Sequence, residues 1–336
     1  MNNKKVLMDI SWSNKGGIGR FTDEISKLLC DISKEELYRK CASPLAPLGL
    51  AVNIFLRKKT DVVFLPGYIP PLFCSKKFII TIHDLNHLDL NDNSSLFKRL
   101  FYNFIIKRGC RKAYKIFTVS NFSKERIVAW SGVNPNKIVT VYNGVSSLFN
   151  ADVKPLNLGY KYLLCVGNRK THKNEKCVIS AFAKADIDPS IKLVFTGNPC
   201  NDLEKLIIQH GLSERVKFFG FVSEKDLPSL YKGSLGLVFP SLYEGFGLPV
   251  VEGMACGIPV LTSLTSSLPE VAGDAAILVD PLSEDAITKG ISRLINDSEL
   301  RKHLIQKGLF RAKRFNWQNV VSEIEMVLTE ACDGNK

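Results

Sequence analysis

The feature that most restricts how this chain folds is an alternation of short, β-branched apolar runs with longer helical stretches, kept up along its length. KKVLMDIS (4–11), VVFLPG (62–67), KFIITIHD (77–84), KIFTVS (115–120) and KIVTVYNGV (137–145) read as strands. GGIGRFTDEISKLLCDI (16–32), the stretch 95–114 and NFSKERIVAWSG read as helices between them. The pattern restarts at YLLCVGN (162–168). It continues through IKLVFTGN (191–198), VKFFGFV (216–222), LGLVFPS (235–241), IPVLTS (258–263) and AAILVD (275–280), with helices near 174–186 and 201–211 and from about 283. Strands of this kind separated by helices imply parallel sheets buried on both faces. The unpatterned stretch NADVKPLNLGYK (150–161) reads as a linker. The expected division is 1–150, 151–315, and a last helix opening near FNW (315–317) and occupying 316–336. Two such sheets facing each other across a cleft place functional groups at the carboxyl ends of strands.

At 336 residues the chain has room for two cores, and 45% hydrophobic with 23% charged residues is an ordinary globular composition. No uncharged apolar run reaches the ~18 residues of a membrane span. MNNKKVLMDIS has too short an apolar run before Asp9 for a secretory signal. Nine scattered cysteines without CxxC spacing argue against a disulfide framework or a zinc site, and a reducing cytoplasm fits. Residues 1–150 hold 23 Lys and Arg against 11 Asp and Glu, and residues 151–336 hold 22 of each, so the first half carries the whole net charge of +12. That asymmetry suits an anionic partner (nucleic acid, a phospholipid surface or a phosphate-bearing substrate), or simply solubility.

Residues 241–260 read SLYEGFGLPVVEGMACGIPV. Gly245 and Gly247 permit a tight bend after a strand, Pro249 suits the first helical turn, and Gly257 with Pro259 ends the helix. Such a helix start offers N–H groups from about Phe246 to Val250 to an anion. Glu244 on the loop and Glu252 one turn in can face the same opening, although each alone would serve simply to complement the helix dipole. A phosphate-binding helix start bracketed by two hydroxyl-binding acids fits a sugar nucleotide. In VGNRKTHKN, Arg169 and Lys173 lie four apart on a loop entering a helix, spaced to neutralise a diphosphate or to stand as solvated cations. GGIG (16–19) is by itself an ordinary βα turn, with Gly17 facing phosphates or acceptor as the alternative. TIHD places His83 at a strand end. KRLFYNFIIKRGCRKAYK (98–115) has seven basic residues, no acidic ones and an apolar helical face. It reads either as a packed helix with a wet basic side or, favoured by the charge asymmetry, as a patch touching anionic lipid.

EGFGLPVVE resembles the E-x7-E motif of glycosyltransferase family 4, retaining enzymes of the GT-B fold. GGIGRF, TIHD, TVSNFSKE, VYNGV, VGNRKTHKN and SSLPEVAGDAAILVDP resemble blocks of that family in the same order. The resemblance implies an α/β GT-B fold of two Rossmann-like domains, the first binding acceptor and the second the nucleotide sugar. It implies that Glu244 and His83 meet the donor sugar, that Arg169 and Lys173 stabilise the departing diphosphate, and that Glu252 holds the ribose. The Phe246–Gly247–Leu248 backbone would meet the sugar and distal phosphate. His87 and His172 receive no such role, His172 being read as ordering its loop. Main chain near Phe221 and Val222 is the candidate reader of the nucleobase. The absence of a DxD motif at a strand end agrees with a metal-independent enzyme that needs no cofactor.

The RKTHKN and SSLPEVAGDAA forms look most like bacterial polysaccharide enzymes, often mannosyltransferases. The expected reaction is therefore hexose transfer, best read as mannose from GDP-mannose. The acceptor would be a growing or polyprenyl-diphosphate-linked glycan of cell-surface polysaccharide such as O-antigen, met at the inner face of the cytoplasmic membrane. The alternatives are a rhamnosyl, glucosyl or galactosyl donor, or a sugar-nucleotide epimerase. A nucleic-acid partner explains the charge but not Glu244 and Glu252.

Overall fold

The computed structural model describes residues 6–90 and 95–333 and divides into two compact units, Met1–Gly144 with Trp317–Lys336, and Val145–Asn316. Residues 4 and 5 of the first expected strand lie outside the described residues.

Unit 1 holds strands β1 (Val6–Asp9), β2 (Ser33–Glu35), β3 (Val62–Leu65), β4 (Lys77–Thr81), β5 (Lys115–Thr118) and β6 (Ile138–Thr140). They form a sheet of order β2-β1-β3-β4-β5-β6 in which every pair is parallel. Its helices are α1 (Gly16–Leu28), α2 (Ala46–Leu56), α3 (Asn86–Asp89), α4 (Leu96–Phe101), a π-helical turn (Tyr102–Ile106), α5 (Lys107–Lys112) and α6 (Asn121–Ser131). β1 and β3 are buried at every position, the signature of a strand covered by helices on both faces. In unit 1, β2, α2 and the single turn α3 have no counterpart in the sequence reading. β2 is a polar, largely exposed edge strand, α2 is apolar on all sides and α3 is only four residues long, so none shows the period by which its type is recognised.

Unit 2 holds β7 (Tyr162–Cys165), α7 (Glu175–Lys184), β8 (Lys192–Phe195), α8 (Asn201–Gln209), β9 (Val216–Phe218), α9 (Leu227–Gly233) and β10 (Leu237–Phe239). It continues with α10 (Leu248–Ala255), β11 (Val260–Ser263), α11 (Leu268–Ala272), β12 (Ile277–Val279), α12 (Glu284–Asn296) and α13 (Ser298–Ala312). Its parallel sheet runs β12-β11-β10-β7-β8-β9, the dinucleotide-fold order in which the first and fourth strands are neighbours. The stretch read as a linker docks on this unit. The Leu156 N–H donates to the Ser229 carbonyl at 2.9 Å, and the Leu156 carbonyl sits where a Cβ on Gly233 would come within 2.2 Å.

The last helix, α14 (Trp317–Asp333), belongs to unit 1 and packs on α1 and β3. Val320, Val321, Ile324, Val327, Leu328 and Ala331 repeat at helical spacing on its buried face. Each fully buried aliphatic side chain of this kind contributes about 1.5–3 kcal/mol before its entropy cost. At the far end Lys77 Nζ donates to the Ala331 carbonyl at 2.9 Å and the Tyr114 hydroxyl to Glu330 Oε1 at 2.9 Å. At the near end Gly144 meets Trp317 so closely that a Cβ would lie 2.6 Å from the Trp317 backbone nitrogen and indole. Backbone on one side of that contact leaves nothing soft to yield. We therefore expect Gly144→Ala to destabilise unit 1 by about 1–3 kcal/mol, seen as a lowered first transition in thermal or urea unfolding, with unit 2 unaffected.

Candidate active site

In unit 2 the connections after β7 and β10 leave the sheet in opposite directions, which opens a crevice at the carboxyl ends of these adjacent strands. The β7 loop carries Gly167, Arg169 and Lys173, and the β10 loop carries Glu244. Lys173 Nζ and Glu244 Oε1 are 2.6 Å apart, both side chains largely buried, and the ammonium also lies 5.0 Å from the centre of the Phe239 ring. The two loops are stitched by backbone as well, the Leu242 N–H donating to the His172 carbonyl at 2.8 Å. Asn174, in the left-handed region, donates from its amide to the Pro240 and Pro281 carbonyls at 3.1 and 2.7 Å. His172 is buried in this knot, and desolvation lowers its pKa while Glu244 opposes the shift.

Arg169 also takes a left-handed conformation (φ 63°), uncommon for a side-chain-bearing residue and typical of functional loops. Its Nη2 donates to the Thr196 carbonyl beyond β8, and its guanidinium lies 5.3 and 5.4 Å from the Phe195 and Phe218 rings. Nε and Nη1 are buried with no hydrogen-bond partner. Beneath it sits Glu175, the first residue of α7, 3.3 Å from Nη2. That approach is an ion contact rather than a well-formed hydrogen bond, and Oε1 has no donor. Burial raises the Glu175 carboxyl, with the Arg169 guanidinium and backbone N–H opposing. Glu175 presses on Gly167 so closely that a Cβ there would lie 2.0 Å from its Oε1. The polar network is thus unsaturated at its centre, with guanidinium donors and a carboxylate oxygen left over in a buried place where proteins normally leave none.

The start of α10 completes this edge. Gly247 caps it at φ 97°, where a Cβ would also strike the Leu268 side chain at 2.5 Å, so glycine is required twice over. Of the N–H groups expected there, Val250 donates to the Gly247 carbonyl and Pro249 has none, so neither is offered to a ligand. The Phe246 side chain is buried against Phe315, ring centres 5.3 Å apart, so only its backbone faces the bend. Ser266 and Ser267 hold the bend. Ser266 Oγ accepts from the Glu244 N–H at 3.1 Å, and Ser267 Oγ donates to the Glu244 and Phe246 carbonyls at 2.9 and 3.0 Å. Glu252 is placed differently from Glu244: it is buried, with Oε2 accepting from the Tyr231 hydroxyl of α9 at 2.9 Å. One turn into α10, a side chain on that face meets α9. Val222 is half-buried in the loop after edge strand β9, beside exposed Phe221. That loop is tied to β8's by the Gly197 N–H donating to the Gly220 carbonyl at 2.6 Å.

In unit 1, His83 lies two residues beyond β4 with Nε2 3.0 Å from the Pro66 carbonyl. A carbonyl only accepts, so Nε2 carries the proton and Nδ1 is the acceptor. The ring stands edge-on to Phe21 at 4.9 Å, and burial pushes its pKa down to about 4. Gly17, in the first turn of α1, has open space around it, whereas its neighbours are the demanding glycines: Gly16 has φ 62°, and a Cβ on Gly19 would approach the Trp12 carbonyl at 2.7 Å. The residues missed by sequence reasoning are Glu175, Thr196, Ser266 and Ser267. For Glu175 the available signal was an acid opening a helix straight after Arg169 and Lys173; the serines act through tertiary contacts. No cluster of three or more His, Cys, Asp or Glu suited to a metal occurs among the described residues.

Two family descriptions match this chain: Glycosyl transferases group 1 over residues 148–309 and Glycosyltransferase Family 4 over residues 32–147. O-antigen chain mannosyltransferase B of Escherichia coli is 29% identical over 262 residues, covering 74% of this chain and 69% of the relative. The MMP alpha-(1->4)-mannosyltransferase of Mycolicibacterium hassiacum is 31% identical over 242 residues, 69% of this chain and 58% of its own. Among solved structures, Anabaena HepE in complex with UDP and glucose superposes with a TM-score of 0.76 at 18% identity, covering 97% of this chain and 99% of that one. WaaG, a glycosyltransferase involved in lipopolysaccharide biosynthesis, gives 0.75 at 15% identity, covering 96% and 99%. At these identities the structures speak for the fold.

Two outcomes follow from the geometry. His83 stays neutral in the folded state down to about pH 4, whereas an unfolded histidine protonates near its ordinary value of about 6.5. The unfolded state therefore binds the extra proton, and unit 1 loses up to about 3 kcal/mol as pH falls from about 6.5 to about 4. Urea unfolding across that window should slope less in His83→Gln. At Glu175, Gln keeps an oxygen beside the Arg169 N–H and Leu removes it. We expect calorimetric affinity for nucleoside diphosphate to fall about tenfold in Glu175→Leu and clearly less in Glu175→Gln.

Proposed function

Residues 148–309 of this chain belong to the glycosyl transferases group 1 family and residues 32–147 to glycosyltransferase family 4, and from that footing we propose a retaining hexosyl transfer from a nucleoside-diphosphate sugar. The chain is a glycosyltransferase. The donor we favour is GDP-mannose and the acceptor a lipid-linked or growing cell-surface glycan, since E. coli and Mycolicibacterium relatives carry mannosyltransferase names, one of them for O-antigen. The observation that carries the reading is the unsaturated cluster at the switch point of unit 2: Arg169 with buried unpartnered Nε and Nη1, beside the Lys173–Glu244 pair.

Without donor, Lys173 and Glu244 neutralise each other. A diphosphate entering over the β7 loop takes the Arg169 donors and draws Lys173 toward its oxygens, which frees Glu244 to accept from sugar hydroxyls. As the bond from the anomeric carbon to the phosphate oxygen breaks, negative charge builds on the diphosphate, where two fixed cations stabilise it without a metal. A leaving phosphate oxygen takes the acceptor hydroxyl's proton, and the new glycosidic bond forms on the same face. His83 Nδ1, neutral and aimed by Pro66, accepts from a donor hydroxyl, and Glu252 holds the ribose. Acceptor binding falls to unit 1, with the basic 98–115 segment at the inner face of an anionic membrane.

A thermal-shift panel of GDP-, UDP- and dTDP-sugars identifies the base. With that donor, Lys173→Ala and Glu244→Ala should each lower kcat/KM on the order of a hundredfold or more, and proton NMR of the fresh product should show the donor's anomeric configuration. Near-normal kcat/KM in either variant removes that residue from the site; an inverted product removes the front-face route.

A further inference from the structure

Unit 1 leaves large apolar side chains in water at two places, and both lie in stretches of sequence without a single acid. From 37 to 60 there is no Asp or Glu, while Arg57, which pairs with Glu35, and then Lys58 and Lys59 follow α2; from 93 to 124 there is again none, while α5 brings Lys107, Arg108, Arg111 and Lys112. On α2 the buried Ala46, Leu50, Ala51 and Ile54 face the core. Leu45, Leu48, Val52, Phe55 and Leu56 form the opposite stripe at helical spacing, between 45% and 68% exposed. On α4 and the π-helical turn, Leu96, Phe97, Leu100 and Phe104 are between 48% and 78% exposed. The loop 70–73 joins the two places. The Leu72 N–H donates to the Pro47 carbonyl of α2 at 2.8 Å, Arg108 Nη1 donates to the Leu72 carbonyl at 2.6 Å, and Phe73 stands exposed between them.

We propose that the α2 stripe, with Phe73, is a second membrane-seating element beside the 98–115 segment, and that the two together dock unit 1 on an anionic phospholipid surface. The claim rests on the membrane contact proposed above for 98–115 and adds an element not included in it. A monomeric protein rarely exposes so many large side chains without a partner for them. The partner's chemistry is set by the sequence that carries them: cations in stretches without acids match phosphate headgroups, while the apolar tips match the acyl boundary just beneath. A second copy of this chain is a poor occupant, because a two-fold contact through this face sets like cationic collars against each other. No described helix is long and apolar enough to cross a membrane, so the contact is peripheral.

The test uses the full chain in flotation with vesicles of phosphatidylcholine, with and without phosphatidylglycerol. One variant carries Leu48→Ser, Val52→Ser and Phe55→Ser; another carries Phe97→Ser, Leu100→Ser and Phe104→Ser. All six positions are exposed, so Tm should hold, and a thermal scan checks this. We expect salt-sensitive binding only to the phosphatidylglycerol vesicles, with a partition coefficient lowered at least about tenfold in each variant. Transfer to a soluble acceptor should be unchanged, which separates this claim from the catalytic reading. If the α2 variant floats like the unaltered chain while the other does not, α2 is no anchor and only the 98–115 contact survives. If the unaltered chain never floats but is a dimer by light scattering that the α2 substitutions break, the face belongs to a second copy and the proposal is overturned.

Discussion

The placement of every charged group in the candidate site of unit 2 follows from one constraint, the hydrogen-bonded adjacency of β7 and β10. Because the chain leaves these strands toward opposite ends of the sheet, neither crossover fills the gap between their carboxyl ends. Arg169 and Lys173 come from one side of it and Glu244 from the other, residues 71 apart or more in sequence but within 2.6 Å where Lys173 meets Glu244. The loops are then locked by contacts that bear no charge: Asn174 reaching two carbonyls, and Ser266 and Ser267 gripping the bend after β10. Their effect is to hold an energetically poor arrangement in place. A left-handed arginine, buried guanidinium donors without acceptors and a desolvated Glu175 each cost free energy that the surrounding packing must offset. A site prepared for an anion looks like this, since the missing acceptor atoms are those the anion brings.

Unit 1 is organised differently although its architecture is of the same class. Its strand order is that of the other common doubly wound sheet, and its strand-end groups are not cations: His83 is held uncharged by burial, and the Asp9 carboxyl accepts hydrogen bonds from Ser11 and Leu37. Much of its basic complement lies in the acid-free stretches 37–60 and 93–124, which contain α2 and α4. Charge and chemistry are thus separated within the chain. The half of the sequence with no net charge, 151–336, holds Arg169 and Lys173 in ion contact with Glu175 and Glu244, and the half with all of it, 1–150, carries seven basic residues and no acid over 98–115.

What the sequence determined by itself was whatever depends on local pattern. The alternation of short apolar runs and helices settled a parallel α/β class, because a strand buried on both faces must be apolar throughout. Gly247, Pro249 and Gly257 marked both ends of α10, because backbone conformation follows from those residue types. The ordered motifs identified the family. Where local pattern was absent, the elements were invisible: α2 lacks an amphipathic period, β2 is polar, and α9 and α11 are short helices led by proline. Only the tertiary structure decided that Lys173 meets Glu244, that Glu175 lies beneath Arg169, that Ser266 and Ser267 hold the bend, and that Glu252 turns onto Tyr231. These are contacts between residues far apart in the chain, or matters of which face of a helix is covered. Strand order determines them, and strand order is a property of the packed sheet that no single stretch of residues encodes.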